Sequence, residues 1–125
     1  MKVFKFGGAS TNSFERIQNL AHILQNHKDE KILIVISAMG KMTNALEKVV
    51  DAFYEERKED ALQLFYQVKN YHLDQLKYLV TLQWQKATDQ LNDFFTEVEW
   101  LLHDKPVKDY NYYYDQVVCT GELLS

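Results

Sequence analysis

Apolar positions along the chain follow two rhythms, and their alternation predicts the order of elements. Val3 to Phe6 is a short, mostly apolar run that ends in Gly7-Gly8, the pattern of a buried strand entering a tight turn. Phe14, Ile17, Leu20, Ala21 and Leu24 then recur at helical spacing on one face. Asn12 or Ser13 can cap that helix, with Glu15 three residues after Asn12 as in a capping box, and His27-Lys28 fall in its last turn. Ile32-Leu33-Ile34-Val35-Ile36 is continuous and rich in β-branched residues, which suits a strand covered on both faces of a parallel sheet. The opening therefore predicts β-α-β, with a right-handed crossover as the default.

Ser37-Ala38-Met39-Gly40 forms a loop at the carboxyl end of the second strand, and Thr43 or Asn44 can cap a helix whose apolar face is Leu46, Val49, Val50 and Phe53. From Glu55 to Lys105 there is neither glycine nor proline, and two helices are expected there. One, about Asp60 to Leu79, carries Leu62, Phe65, Leu73, Leu76 and Leu79. The other, about Trp84 to Leu102, carries Trp84, Ala87, Leu91, Phe94 or Phe95, Val98 and Leu101. The apolar phase shifts at Val80-Thr81, so an α-hairpin over about residues 60–103 is the simplest reading, and Pro106 ends it. Trp84, Leu91 and Val98 read as core, Cys119 as a small buried residue, and the tyrosines from Tyr110 to Tyr114 as packing surface or a subunit contact.

Composition narrows the class. The 125 residues hold four glycines and one proline, where average usage gives about nine and about six. Long regular elements follow, and the four glycines become informative. Net charge is −4 with no dominant basic patch, which argues against nucleic acid as partner. The longest apolar run, Ile32 to Ile36, is too short to cross a bilayer, and the N-terminus lacks the features of a signal peptide. A cytoplasmic location is the expectation. The single Cys119 excludes an internal disulfide, and His22, His27, His72 and His103 show no ligand spacing, so no metal site is expected. Leu123-Leu124 begins an apolar pattern that stops without a cap, which reads as the N-terminal portion of a longer protein.

In open α/β sheets ligands bind outside the carboxyl ends of strands, so the loops after the two strands are the first candidates for chemistry. In Lys5-Phe6-Gly7-Gly8-Ala9-Ser10 the glycines let backbone N–H groups approach phosphate oxygens, Lys5 adds a charge and Ser10 a hydroxyl. The spacing is neither a Walker P-loop nor a dinucleotide fingerprint, and a glycine pair alone is more often an ordinary tight turn. Ser37 to Asn44 offers hydroxyls beside a helix N-terminus that could hold a carboxylate, or only cap a helix. Thr120-Gly121-Glu122 reads as a turn followed by an acid in a first helical turn.

Together the three segments resemble the aspartate kinase family. Lys5-Phe6-Gly7-Gly8-Ala9-Ser10 is similar to its K-F-G-G-T-S signature. Ser37-Ala38-Met39-Gly40 with Thr43-Asn44-Ala45-Leu46 is similar to its second block, S-A-M/S-G-x-x-T-N-x-L. Val118-Cys119-Thr120-Gly121-Glu122-Leu123-Leu124-Ser125 is similar to its third, V-x-S-x-G-E-x-x-S. Ala9 departs from the usual threonine and removes a donor, and Cys119-Thr120 stand where serine is usual.

The resemblance implies an α/β fold, a three-layer αβα sandwich of the amino-acid kinase (carbamate kinase-like) type, incomplete here, with the helical hairpin inserted. It implies ATP-dependent phosphorylation of the β-carboxylate of L-aspartate, with Mg2+, on the route to lysine, threonine and methionine. It assigns Lys5, Gly7, Gly8 and Ser10 to the ATP phosphates and the transferring group, Ser37 and Gly40 to the lining of the same cleft, and Thr43 and Glu122 to aspartate. The family usually dimerises. Both arginines, Arg16 and Arg57, fall outside the motifs, so the cation for the substrate carboxylates and the adenine pocket are expected beyond Ser125, and the 125 residues alone are expected to be inactive. Related kinases of acetylglutamate, glutamate, carbamate or UMP, and a non-catalytic interaction module, are the alternative readings.

Overall fold

The two expected strands pair. β1 (Lys2–Phe6) and β2 (Ile32–Ile36) run parallel, with Lys2 opposite Ile32 and Phe6 opposite Ile36. The computed structural model describes all 125 residues: these strands and six α-helices, with a 3-10 turn at Gly8–Ser10 after β1. α1 (Phe14–Gln25) joins the strands. Its cap is Ser13, whose Oγ accepts the Arg16 N–H at 3.4 Å; no capping box involving Asn12 and Glu15 forms. His27 lies beyond the helix end and bonds Glu30 at 2.9 Å. Lys2 and His27 together hold the Glu30 carboxyl below its ordinary pKa.

The core is built around α2 (Met42–Tyr54) rather than around the sheet. Leu46, Val49, Val50, Ala52 and Phe53 are buried on α2 and pack with α3 (Lys58–Leu79), α4 (Trp84–His103), α5 (Tyr110–Val118) and α6 (Thr120–Leu124). No strand residue belongs to this cluster. Leu33 to Ile36 remain between 38 and 51% exposed. Both apolar runs form strands, but neither is buried as expected: Val3 is 57% exposed, and the cover expected on both faces of β2 is not provided within these 125 residues, whose apolar cluster is entirely helical. Thr43 and Asn44 also do not cap: α2 begins at Met42, so both lie inside its first turn. At its other end Glu56 takes φ 59°, and the Glu56 and Arg57 N–H groups close back on the Phe53 and Ala52 carbonyls. This is the Schellman ending that glycine usually serves.

α3 and α4 form the expected hairpin. Phe65 and Phe95 meet edge to face at 6.1 Å, Lys69 pairs with Glu99 at 2.8 Å, and Lys58 bonds the His103 carbonyl. The buried lines are Ala61-Phe65-Val68-His72 and Phe95-Val98-Leu102. Trp84, expected in the core, is 41% exposed, because the hairpin tip extends past the core, with Leu82 98% exposed. The tyrosines beyond Pro106 serve packing. Tyr113 is buried, and its hydroxyl accepts the Val107 and Lys108 N–H groups at 2.8 and 3.0 Å. Tyr110 donates to Asp51 Oδ1 at 2.7 Å, and that bond to a carboxylate, with burial, pushes the phenol up to about 12. Cys119, expected to be buried, is exposed at the joint between α5 and α6. No helix is long and apolar enough to cross a membrane.

His72 is the one buried imidazole. Its Nδ1–H donates to the Val68 carbonyl at 2.7 Å, and its buried Nε2 has no partner. Burial pushes its pKa down, against the Val68 bond, which favours the charged form. The unfolded chain takes up this proton below about pH 6.5, whereas the folded one resists it. Stability attributable to His72 is therefore full above about pH 6.5 and is lost as pH falls toward the depressed folded pKa, at up to about 1.4 kcal/mol per pH unit. Urea unfolding midpoints at pH 7.5 and 5.0 should differ less in His72→Leu than in the parent chain, and an equal difference would contradict this.

Candidate functional site

The three segments singled out in the sequence meet at the carboxyl ends of the strands. β1 runs into Gly7 and then the short 3-10 turn, in which Ser10 N–H closes on the Gly7 carbonyl at 2.9 Å. The next carbonyl, of Gly8, accepts the Gly40 N–H at 3.0 Å, which joins the first loop to the second. The approach is so close that a β-carbon on Gly8 would sit 2.6 Å from the Gly40 oxygen and 3.1 Å from that of Ala38. Gly40 itself takes φ +52°, a conformation that strains residues with a β-carbon. The third segment arrives from the other side: a β-carbon on Gly121 in α6 would lie 3.3 Å from Ala38 Cβ and 3.2 Å from Leu46 Cδ1. Ala38 is thus the meeting point of all three.

The glycines divide by role. Gly8 and Gly121 permit contact between segments, and Gly40 permits the turn. Gly7 alone faces open space, with nothing within 4 Å of where its β-carbon would be. The N–H groups of Gly7, Gly8 and Ala9 donate to no protein acceptor, nor do those of Thr43 and Asn44 in the first turn of α2. Free backbone donors at two neighbouring element starts attract an anion through their aligned N–H dipoles.

The side chains are less assembled than the backbone. Lys5, Ser10 and Glu122 are exposed, and neither the Lys5 ammonium nor the Glu122 carboxylate has an ion-pair partner in the chain. Ser37 and Thr43 are half-buried. Ser37 continues the ladder by donating its N–H to the Phe6 carbonyl at 3.0 Å, which fixes where the second loop departs. Glu122 stands in the first turn of α6, as expected, but Thr120 and Gly121, expected as a turn before it, are already the first residues of that helix. Arg16 lines a small cleft with Ser10, Phe6 and Asn19, so one of the two arginines lies beside the first loop although its motif gave no hint of it.

Sequence reasoning passed over Thr11. It is 1% exposed, and its Oγ lies 3.3 Å from the Gly7 carbonyl, 3.4 Å from that of Gly8 and 3.5 Å from that of Ala38. One hydroxyl proton shared among three long contacts gives weak bonds, so burial contributes more than any one of them. The largest cavity, about 620 Å3, is not at this junction. It opens between α3 and α4 and is lined mostly by apolar groups, with Met39 and Leu123 forming the wall it shares with the site.

A model of the amino acid kinase family matches residues 1–124. Aspartokinase 2, chloroplastic, of Arabidopsis thaliana is 50% identical over 46 residues, which are 37% of this chain and 8% of that protein. Aspartokinase 2 of Bacillus subtilis is 41% identical over 56 residues, 43% of this chain and 14% of that protein. Among solved structures, that of Escherichia coli aspartokinase III in complex with lysine and aspartate superposes with a TM-score of 0.82 at 19% identity. That match covers 99% of this chain and 26% of the other. It establishes the fold, a portion of the αβα sandwich expected from the sequence.

The junction makes a sharp distinction between adjacent glycines. Gly8→Ala should lower stability by about 1–3 kcal/mol, as overpacking against a rigid carbonyl does. Gly7→Ala, at φ −77° with open space around it, should stay within about 1 kcal/mol of the parent. Urea denaturation of the two variants measures the difference, and equal costs would contradict the close approach.

Proposed function

Because the chain belongs to the amino acid kinase family, we propose that it forms the phosphate- and substrate-facing part of an aspartate kinase, which transfers the γ-phosphoryl of ATP to the β-carboxylate of L-aspartate. The observation that carries this reading is the convergence of three distant segments on Ala38 and Gly40, with free N–H groups left at Gly7 to Ala9 and at the start of α2. The names of the relatives, and the aspartate bound in the related structure, support the choice of substrate.

In this reading Lys5, Gly7, Gly8 and Ser10 bind the ATP phosphates and the transferring group. Ser37 and Gly40 line the cleft, and Thr43 and Glu122 hold aspartate. The chemistry asks little beyond alignment. A carboxylate with a pKa near 4 is already ionised at pH 7, so the nucleophile needs no general base. The barrier comes from bringing an anion to a phosphoryl group, and it is lowered by holding both in line and by neutralising charge on the non-bridging oxygens. The Lys5 ammonium and the free amides suit that task. Glu122, unpaired in the chain, suits the substrate ammonium as a charge-assisted acceptor. Magnesium enters as the counter-ion of the substrate ATP; Asp, Glu, His and Cys of this chain nowhere gather in threes to cage it.

The chain spans 8–14% of the first two relatives and 26% of the related structure. Residues 1–125 are accordingly proposed as the N-terminal portion of the kinase domain, with the hairpin of about 60–103 inserted in it. The adenine pocket and a cation for the substrate carboxylates would come from further sequence.

ADP release measured on a protein of the relatives' length that carries these 125 residues should depend on L-aspartate and not on N-acetylglutamate, glutamate or UMP. The 125 residues alone should give no turnover. Lys5→Ala should lower kcat by about 100-fold or more, as loss of one transition-state donor does. Glu122→Ala should raise KM for aspartate by roughly 10- to 100-fold, the worth of a hydrogen bond to a charged group. Turnover of UMP or acetylglutamate in place of aspartate would overturn the reading, and an unchanged KM would remove Glu122 from the ammonium site.

A further inference from the structure

The hairpin does more than extend the core. One face of α3 reaches the segment that follows the first loop, at three points. The Tyr71 hydroxyl donates to the Asn12 carbonyl. Gln75 Oε1 accepts the Phe14 N–H at 2.7 Å. The Tyr78 ring stacks on that of Phe14 at 5.0 Å, with 26° between the planes. Positions 71, 75 and 78 share one side of a helix, and the residues they grip lie about sixty earlier in the sequence. The Phe14 N–H is one of the donors that the start of α1 leaves unpaired. Ser13 spends its own hydroxyl oxygen on Arg16 N–H, so Gln75 provides the second cap from another helix.

Only Thr11 separates this gripped segment from the first loop, and its buried hydroxyl faces the Gly7, Gly8 and Ala38 carbonyls. The loop has few other restraints. The sheet beneath it has two strands and is half-exposed, and beyond the Ser37–Phe6 rung that ends the ladder, the Gly7–Ser10 stretch is hydrogen-bonded to the second loop only through Gly40 and Gly8. Amides that must be ordered on binding lose affinity to that ordering, so a loop held in place binds an anion better than a free one.

We propose that α3 is a strap for the first loop, with Tyr71 and Gln75 as positioning residues that hold the Gly7–Ser10 amides in an anion-binding arrangement. This rests on reading that loop as the ATP phosphate site. By reciprocity, an anion bound at the loop steadies the hairpin against the loop in turn.

The test uses the 125-residue chain, inorganic tripolyphosphate as probe, and backbone amide NMR. In the parent chain, tripolyphosphate should shift the Gly7, Gly8 and Ala9 signals. Tyr71→Phe and Gln75→Leu should each weaken its affinity at least threefold. In both, the hydrogen-bonded amides of this stretch, those of Ser10, Thr11 and Phe14, should exchange at least tenfold faster, with Val49 and Val50 in the core unchanged. Gln75→Glu keeps the acceptor and should restore protection of Phe14, which a general loss of packing would not allow. Loop exchange unchanged in both variants overturns the strap, whether or not the probe binds. Faster exchange with unaltered affinity overturns its role in binding. Absence of binding by the parent chain counts instead against the loop as a phosphate site, and the exchange rates still decide the strap. Should Gln75→Leu fail to fold, Tyr71→Phe, which removes one hydroxyl, gives the same readouts.

Discussion

The Gly8 carbonyl takes the Gly40 N–H at 3.0 Å across a gap that would put a Gly8 β-carbon 2.6 Å from the Gly40 oxygen. That contact sets the distance between the first two loops and, through them, the position of everything beside them. It needs a residue without a β-carbon on one side and a left-handed backbone on the other, and glycine supplies both. Once it forms, Ala38 is enclosed, Thr11 is buried against three carbonyls, and Gly121 can bring α6 against Ala38. The amides of Gly7 to Ala9 are then left without a protein acceptor, and Gly7 borders open space. The site is in the first place an arrangement of backbone, and the side chains of Lys5 and Glu122 extend from it without partners of their own.

The rest of the fold supports that junction unevenly. The apolar cluster runs through α2, α3, α4, α5 and α6 and omits the sheet. α2 lies between the two, since it starts just after Gly40 and buries Leu46, Val49, Val50 and Phe53 in the cluster. α6 is anchored in the same way through Leu124. The first loop has no such helix of its own in the core; Tyr71, donating to the Asn12 carbonyl, and Gln75, accepting the Phe14 N–H, link the segment just after it to the cluster through α3. The hairpin is therefore part of the same mechanical unit as the loops at the strand ends.

Much of this architecture was legible from apolar spacing. Both strands, the helix between them, α2 and the hairpin follow from period and from the lack of glycine and proline, and the glycines marked the three segments that converge. What spacing did not carry was partnership. Leu33 to Ile36 read as doubly covered because hydrophobicity reports a preference for cover and not whether this chain provides it. Cys119 and Trp84 read as buried because their types usually are, yet one sits on a helix joint and the other at a projecting tip. The Schellman turn at Glu56 left no glycine to mark it. At the site, Lys5, Gly7 and Glu122 were visible through motif resemblance. Thr11, Tyr71 and Gln75 were not, because each acts through a carbonyl or an N–H distant in sequence. The one sign of the last two was a polar and aromatic stripe on α3 at positions 71, 75 and 78, flanking its buried line.

The most direct measurement is a relaxation map of the isotope-labelled chain with ATP and Mn2+, the paramagnetic ion serving as a reporter of where the phosphates rest. If the junction is a phosphate site, the amide signals of Gly7, Gly8 and Ala9 should lose intensity first, together with those of Thr43 and Asn44. Broadening centred instead on the cavity between α3 and α4, at His72, Gln90 and Leu91, or spread evenly over the surface, would contradict it.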